Sequence, residues 1–256
     1  MLANERQKII LEKIKKSGAV TTAQLVSEFN VSLETVRRDL LVMEKEHLLS
    51  RVHGGAIAIA EMHPSRPFNV RHNECIEQKR ALARKSTEFI SEGDVIGIDA
   101  GSTAILFAEA LREKFSRLTI ITYSLSVFEL LCDYKDFSVV LVGGNFLNSE
   151  RMFYGAMTLE SLEKLNTSKV FIFPAAVSLK SGICYYSNEE YLLVKKLIEN
   201  SHEVFVLADS RKLEKKALLK VDDMRLEYHY ITDSELDAEI KSLYSENEID
   251  IYYGES

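Results

Sequence analysis

From residue 93 onward the chain alternates two kinds of run, and this alternation constrains the fold more than any other feature. β-type runs are DVIGIDA, LTIITY, FSVVLVGG, KVFIFPAAV, EVFVLAD and YHYITD. Helix-type runs lie between most of them: AILFAEALREK, SVFELLCD, TLESLEKLN and EEYLLVKKLIEN. Strands that alternate with helices join in parallel and are covered on both faces. The expectation is an α/β domain with a mostly parallel sheet. Its ligand site lies beyond the carboxyl ends of the strands.

The first 57 residues follow a different pattern, three helices and a hairpin. In NERQKIILEKIKKSG, Asn4 is read as N-cap with Gln7 in the capping-box position. Ile10, Leu11 and Ile14 form its apolar stripe, and Gly18 is placed to end it. In VTTAQLVSEFN, Thr21 is the N-cap, Gln24 completes the box, and Val20 and Leu25 form a hydrophobic staple. Leu25, Val26 and Phe29 face inward, and Asn30 tolerates a left-handed helix end. In VSLETVRRDL, Ser32 is the N-cap and Val31 and Val36 are the staple. About three residues separate the second and third helices, which forces a helix-turn-helix corner.

Helical periodicity puts Leu33, Val36, Leu40 and Met43 on one face of the third helix. Arg38 then points away from that stripe. Glu34, Thr35 and Leu41 share its outer half, while Arg37 and Asp39 flank the stripe. Hydroxyl and guanidinium groups on the first turns suit base edges and phosphates. An arginine pair on a helix is more often a solvated face, with Asp39 pairing a nearby cation. The tight corner and the following HLLSRVHGGAIAIA favour DNA. That stretch reads as a hairpin turning at Gly54-Gly55, a wing whose Arg51 and His53 can reach phosphates or the minor groove. The DNA-contacting set is read as Thr21, Thr22, Ser32, Glu34, Thr35, Arg37, Arg38, Arg51, His53 and Gly54.

The formal net charge of -7 argues against a protein that coats nucleic acid everywhere. It leaves room for a small reading module, because residues 1–56 hold nine Lys/Arg against seven Asp/Glu. The first twenty residues have no apolar core of the signal-peptide kind, and no run approaches the ~20 apolar residues of a membrane span. Cys75, Cys132 and Cys184 form no C-x-x-C pair, so neither a disulfide framework nor a zinc site is indicated. A cytoplasmic location without metal or other cofactor is the expectation. Pro64 and Pro67 push His63 and Arg66 toward extended geometry, which marks residues 58–75 as a linker. The domains are then 1–57, the winged helix-turn-helix, and 76–256, the α/β domain opened by the helical run IEQKRALARKSTEFI.

In that second domain, Asp99-Ala100-Gly101-Ser102-Thr103 runs from the first strand straight into a helix. A glycine and hydroxyls at a helix N-terminus can cradle phosphate. The alternative is that Ser102 merely caps the helix and Asp99 satisfies nearby backbone. Thr122 to Ser126, Gly143-Gly144 and Asp209-Ser210-Arg211-Lys212 end other strands with small, hydroxyl or cationic residues. One shared pocket for an anionic small molecule is the expectation. Lys212 suits phosphate or carboxylate there, or is a solvated lysine of the run RKLEKK.

Residues 4–57 resemble the winged helix-turn-helix of the DeoR family of bacterial transcriptional regulators. The resemblance rests on Ser32, Thr35, Arg37-Arg38-Asp39-Leu40 and Arg51-Val52-His53-Gly54-Gly55-Ala56. The remainder more loosely resembles the family's sensor domain, whose fold is shared with sugar-phosphate isomerases. That likeness implies an effector set of Asp99, Gly101, Ser102, Thr103, Tyr123, Ser124, Gly143, Gly144, Glu190, Lys195 and Lys212, with Gly182 and Asp209 in the matching motifs. Tyr123 stands where the family usually has Asn. Ser168 to Phe173 replaces its usual Asp-x-Ala-Phe-x-Gly, which puts Phe173 at a glycine position.

The resemblance implies a regulator, a repressor of sugar-metabolism genes released from double-stranded operator DNA by a phosphorylated sugar. It also implies a homo-oligomer, dimer or tetramer, with no membrane partner. The competing readings are an isomerase-like enzyme using Asp99, Glu189 and Glu190, and a regulator that has lost its sugar-phosphate response.

Overall fold

The computed structural model describes residues 3–17, 19–45, 48–52, 55–57, 68–134 and 136–255. The chain divides into two compact units, Met1–Pro64 and Ser65–Ser256.

The first unit runs α1 (Ala3–Ser17), β1 (Ala19–Thr21), α2 (Thr22–Phe29), α3 (Leu33–Lys45), β2 (Ser50–Val52) and β3 (Gly55–Ile57). β3 is the centre of a small antiparallel sheet, with β1 on one side and β2 on the other. Three helices and this sheet make a winged helix. The core holds Ile10, Ile14, Val20, Leu25, Phe29, Val36, Leu40 and Met43.

Local chemistry sets most boundaries. Thr21 Oγ1 accepts from the Gln24 N–H at 3.2 Å, and Gln24 Oε1 accepts from the Thr21 N–H at 3.1 Å, closing the capping box. Asn30 ends α2 in the left-handed region with φ 50°. Ser32 Oγ accepts from the Thr35 N–H at 3.2 Å and starts α3.

Three expectations need correcting. α1 begins at Ala3, so Asn4 lies in its first turn and is not the N-cap. Leu33 is 42% exposed, because the first residue of α3 lies beyond the end of the apolar seam that starts at Val36. Gly55 is not a turn residue but sits in β3 between Thr21 and Val52. A Cβ there would stand 2.1 Å from the Val20 carbonyl oxygen, so the glycine permits close approach of β1. Gly18, the expected end of α1, lies outside the described residues.

The second unit opens with α4 (Phe68–His72) and α5 (Ile76–Ser86). It continues β4 (Val95–Ile98), α6 (Ser102–Lys114), β5 (Thr119–Thr122), α7 (Leu125–Leu131) and β6 (Ser138–Leu141). Next come β7 (Asn145–Leu147), β8 (Met152–Tyr154), α8 (Ala156–Leu162), β9 (Thr167–Ile172), β10 (Ala176–Ser178) and β11 (Gly182–Tyr185). Last are α9 (Asn188–Glu199), β12 (Ser201–Leu207), β13 (Leu219–Asp222), β14 (His229–Asp233), α10 (Ala238–Glu246) and β15 (Ile251–Gly254). α4 is a helix inside the stretch read as linker, and the described part of that stretch belongs to the second unit.

Seven strands form one sheet in the order β15-β14-β12-β9-β4-β5-β6, and every pairing is parallel. Successive strand residues face opposite sides. On β9 and β12, Val170, Ile172, Val204 and Val206 feed one core with Leu162, Leu193 and Tyr244 from α8, α9 and α10. Phe171, Phe205 and Leu207 feed the other with Leu82, Phe107 and Val127 from α5, α6 and α7. From β4 the chain winds outward through β5 to β6. It then returns to β9 on the other side of β4 and winds outward again. The order reverses between β4 and β9, where open α/β sheets form their ligand crevice.

Candidate functional site

Two surfaces carry chemistry. The first is the exposed side of α3. Arg37 and Arg38 are both exposed and have no ion pair among the described residues. Arg37 therefore does not sit at the core edge as the helical periodicity suggested. The buried position beside it belongs to Asp39, which is 5% exposed. Asp39 is gripped in bidentate fashion by Arg6 of α1, with Nε to Oδ2 at 2.8 Å and Nη2 to Oδ1 at 3.2 Å. That pair sets α1 against α3 and leaves the two neighbouring arginines turned outward.

Glu34 is exposed at the start of α3, and the Ser32 and Thr35 hydroxyls lie 2.8 Å apart at its tip. Thr21 is committed to its cap, with Thr22 following as the first residue of α2. On β2, the Arg51 N–H donates to Glu44 Oε1 at 3.0 Å and its guanidinium lies 3.7 Å from Glu44 Oε2. Arg51 is thus tied back toward α3. His53 and Gly54 lie outside the described residues.

The second surface is the switch point between β4 and β9. Asp99 follows β4 and is 1% exposed. Its Oδ1 accepts from the Ala100 N–H at 2.7 Å and from the Tyr123 hydroxyl. Its Oδ2 accepts from the Tyr185 hydroxyl at 2.7 Å and from the Phe173 N–H at 3.1 Å. Burial pushes the Asp99 pKa up, against these four donors, which pull it down. Burial, and then the Asp99 charge, push both tyrosines well above their usual value. Both oxygens of Asp99 are engaged, so this carboxylate joins β4, β5, β9 and β11 at the crevice floor. Phe173 contributes its backbone here and turns its ring to Phe107, 6.0 Å between centroids. Ser168 lies at the opposite end of β9, where its hydroxyl donates to the Val95 carbonyl at 2.8 Å.

Beyond Asp99, Gly101 takes φ +140° and precedes α6 without a side-chain cap. Ser102 and Thr103 are buried in the first turn, and their hydroxyls have no hydrogen-bond partner among the described residues. The uncapped N–H groups and the helix dipole point to an anion.

Cations gather close by. Lys79 of α5 is 2% exposed and donates to the Arg71 carbonyl. Burial, and then Lys212, lower its pKa to about 8. Lys212 donates to the Pro174 carbonyl at 2.9 Å, just past β9. Burial lowers its pKa; Asp209 opposes this, and Arg71 and Arg211 reinforce it. Asp209, at the end of β12, is 1% exposed; its Oδ1 accepts from Arg211 Nε at 3.1 Å. The buried Oδ2 of Asp209 has no hydrogen-bond partner among the described residues.

A carboxylate group completes the rim. Arg71 pairs with Glu150. Glu190 on α9 takes a bond from the Ser187 hydroxyl at 3.1 Å. Burial, then Glu150 and Asp99, raise the Glu190 pKa to about 7.

The remaining expected effector residues serve other roles or stand apart. Ser124 caps α7, accepting from the Val127 N–H at 3.3 Å. The Gly143 carbonyl accepts from Thr158 Oγ1 at 3.0 Å, and a Cβ on Gly144 would lie 2.1 Å from that same oxygen. The glycine pair therefore admits Thr158 of α8. A Cβ on Gly182 would lie 2.1 Å from the Asp222 carbonyl oxygen, so that glycine lets β13 approach β11. Lys195 is exposed, its ammonium 5.9 Å above the Tyr191 ring. Sequence reasoning missed Arg71, Lys79 and Tyr185. Only Lys79 had a visible signal: it falls in register with Leu82, Ala83 and Ser86 on the inward stripe of α5.

Residues 6–62 match the family model described as the DeoR-like helix-turn-helix domain, and residues 74–234 match the DeoR C terminal sensor domain. The HTH-type transcriptional regulator YulB of Bacillus subtilis (strain 168) is 33% identical, over 95% of this chain and 94% of that one. The lactose phosphotransferase system repressor of Lactococcus lactis subsp. lactis is 31% identical, over 84% and 85%. The glycerol-3-phosphate regulon repressor of Escherichia coli (strain K12) is 28% identical, over 98% and 99%. Ribose 5-phosphate isomerase A of Neisseria gonorrhoeae shares 24% identity over 54% of this chain and 53% of that one, with a TM-score of 0.40.

A winged helix followed by a sensor domain defines a DNA-binding transcriptional regulator. The chain belongs to the DeoR family of such regulators. Among the described residues, no helix is long and apolar enough to cross a membrane.

Proposed function

We propose that this regulator is a repressor whose hold on DNA is relieved by a small phosphorylated sugar, and that it is not an enzyme. The observation that carries the reading is a cluster of cations beside the uncapped α6: Lys79 sits on the Arg71 carbonyl, and Lys212 on the carbonyl of Pro174, whose neighbour Phe173 packs beside Gly101. Lys79 and Lys212 spend their ammonium groups on backbone carbonyls and have no ion pair among the described residues, so an anionic ligand would offset the cost of enclosing them. Phosphate suits the helix N-terminus, with the Ser102 and Thr103 hydroxyls as added donors. Asp209 Oδ2 offers an acceptor for a sugar hydroxyl. The repressor names of two relatives support the direction of control. α3 enters the major groove with Arg38 foremost, and paired half-sites call for a homo-oligomer.

One observation favours isomerase-like chemistry instead. Glu190, with a pKa of about 7, is poised as an acid or base. Asp99 is poorly suited to that work, because both its oxygens are already engaged.

The test is a melting experiment with pentose and hexose phosphates, alongside an isomerisation assay. A phosphorylated sugar should raise the Tm of the parent protein. The rise should vanish in Lys212→Met, with no turnover. Turnover at ordinary enzyme rates would overturn the reading.

A further inference from the structure

Arg71 belongs to two groups at once. Its guanidinium pairs with Glu150, which lies in the turn between β7 and β8 and is 9% exposed. The same guanidinium lies near enough to Lys79 and Lys212 to depress the pKa of each. Its backbone carbonyl receives the Lys79 ammonium. Two of the polar ties that hold α4 to the sensor unit therefore use cations of the anion site.

The position of α4 makes those ties consequential. It packs against α6, whose N-terminus forms the cradle. It is the first described element after residues 58–67, through which the chain leads to the winged unit. Cys75 turns the chain from α4 into α5 with φ 49° and ψ 46°, a left-handed conformation uncommon for a residue with a side chain.

Resting on the sugar-phosphate reading above, we propose that Arg71 is the switching cation of this site. A bound phosphate draws Arg71 from Glu150 and Lys79 from the Arg71 carbonyl, and α4 comes loose from the sensor unit. A phosphate group carries a charge of roughly −1.5 to −2 and three acceptor oxygens, so it competes well with one carboxylate for a guanidinium. The three cations repel one another, and an anion among them removes that repulsion. Once released, Glu150 stands beside Glu190, and repulsion between the two carboxylates opposes closing the pair again. Release of α4 loosens the first described element that follows residues 58–67, at the start of the sensor unit.

The test places two readouts on the full-length protein. The probes are ribose 5-phosphate, glucose 6-phosphate, glycerol 3-phosphate and inorganic phosphate. Thermal melting reports occupation of the site, and hydrogen exchange of peptides spanning residues 68–79 reports on α4. The amides of Asn73 and Glu74 bond the Val70 and Arg71 carbonyls at 3.2 and 3.4 Å. A probe that raises the Tm should speed exchange there by about tenfold or more. Glu150→Gln should show the faster exchange with no probe present. A Tm rise with unchanged or slower exchange in this segment of the parent protein overturns the proposal and leaves the sugar-phosphate reading standing. No Tm rise with any probe overturns both.

Discussion

Arg37 and Arg38 stand exposed on α3 and have no ion pair among the described residues, whereas Lys79 is 2% exposed and wedged against a backbone carbonyl. The same type of charge is displayed in one unit and enclosed in the other. A displayed arginine loses little water and meets a long polyanion, where affinity comes from many contacts and falls with salt. An enclosed lysine has lost its water and is held at a cost until a small anion reaches it. On the proposed reading, the winged unit meets an extended polyanion and the sensor unit a single small anion. Where the winged unit buries a charge, at Asp39, it supplies a full partner in Arg6. Among the described residues of the sensor unit, Asp209 Oδ2 has no hydrogen-bond partner and the α6 N-terminus has no side-chain cap.

Four substitutions probe this contrast. A large effect is expected from Asp39→Ala, which removes both hydrogen bonds between Arg6 and Asp39 inside the winged unit. Removing charged hydrogen bonds of this kind costs about 2–3 kcal/mol, and chemical denaturation of the winged unit would show it. A change below about 0.5 kcal/mol would mean that the pair is dispensable.

Arg38→Ala should leave stability unchanged and weaken operator binding by about 1–3 kcal/mol, roughly 5- to 150-fold. Equal binding of parent and variant to the same promoter fragment would remove Arg38 from the DNA surface.

The enclosed charges should show as pH dependence. The folded state holds Lys79 at about 8 against its usual 10.5. The unfolded chain therefore binds the proton more readily, and the parent loses stability as pH falls from about 10.5 to about 8. Below that window the deficit is complete. Lys79→Met should flatten this stretch of the stability curve. Glu190 titrates at about 7 against its usual 4.5, so here the folded state holds the proton longer. The parent should lose stability as pH rises between those values, and Glu190→Gln should flatten the decline. Parallel parent and variant curves in either window would show that the group is freely hydrated.

What was legible in the sequence follows from range. The Thr21–Gln24 box, the Ser32 cap and the left-handed Asn30 are built by residues within a few positions, and residue type at fixed spacing announces them. The strands from β4 to β14 that make the parallel sheet were readable as apolar runs. β15 and α4 were not: β15 is a short Ile-Tyr-Tyr-Gly run at the end of the chain, and α4 spans five residues next to two prolines.

Long-range convergence was hidden. Asp39 and Arg6 are 33 positions apart, and nothing local says that they meet. Gly55 looked like a turn residue because its reason for being glycine, the Val20 carbonyl, lies on another strand. Asp99 was found as a strand-end carboxylate, but its saturation by Tyr123, Tyr185 and Phe173 depends on three other parts of the chain. Lys195 is placed at the site only by the family resemblance, and on α9 it is exposed.

The most direct measurement is operator affinity with and without a phosphorylated sugar, by fluorescence anisotropy on a promoter fragment, in the parent and in Lys212→Met. The account predicts that at least one sugar phosphate weakens binding by the parent about tenfold or more, within the usual range of allosteric coupling. It predicts that the ratio falls to one in Lys212→Met. A parent that ignores every phosphorylated sugar, or a variant that responds as the parent does, would contradict it.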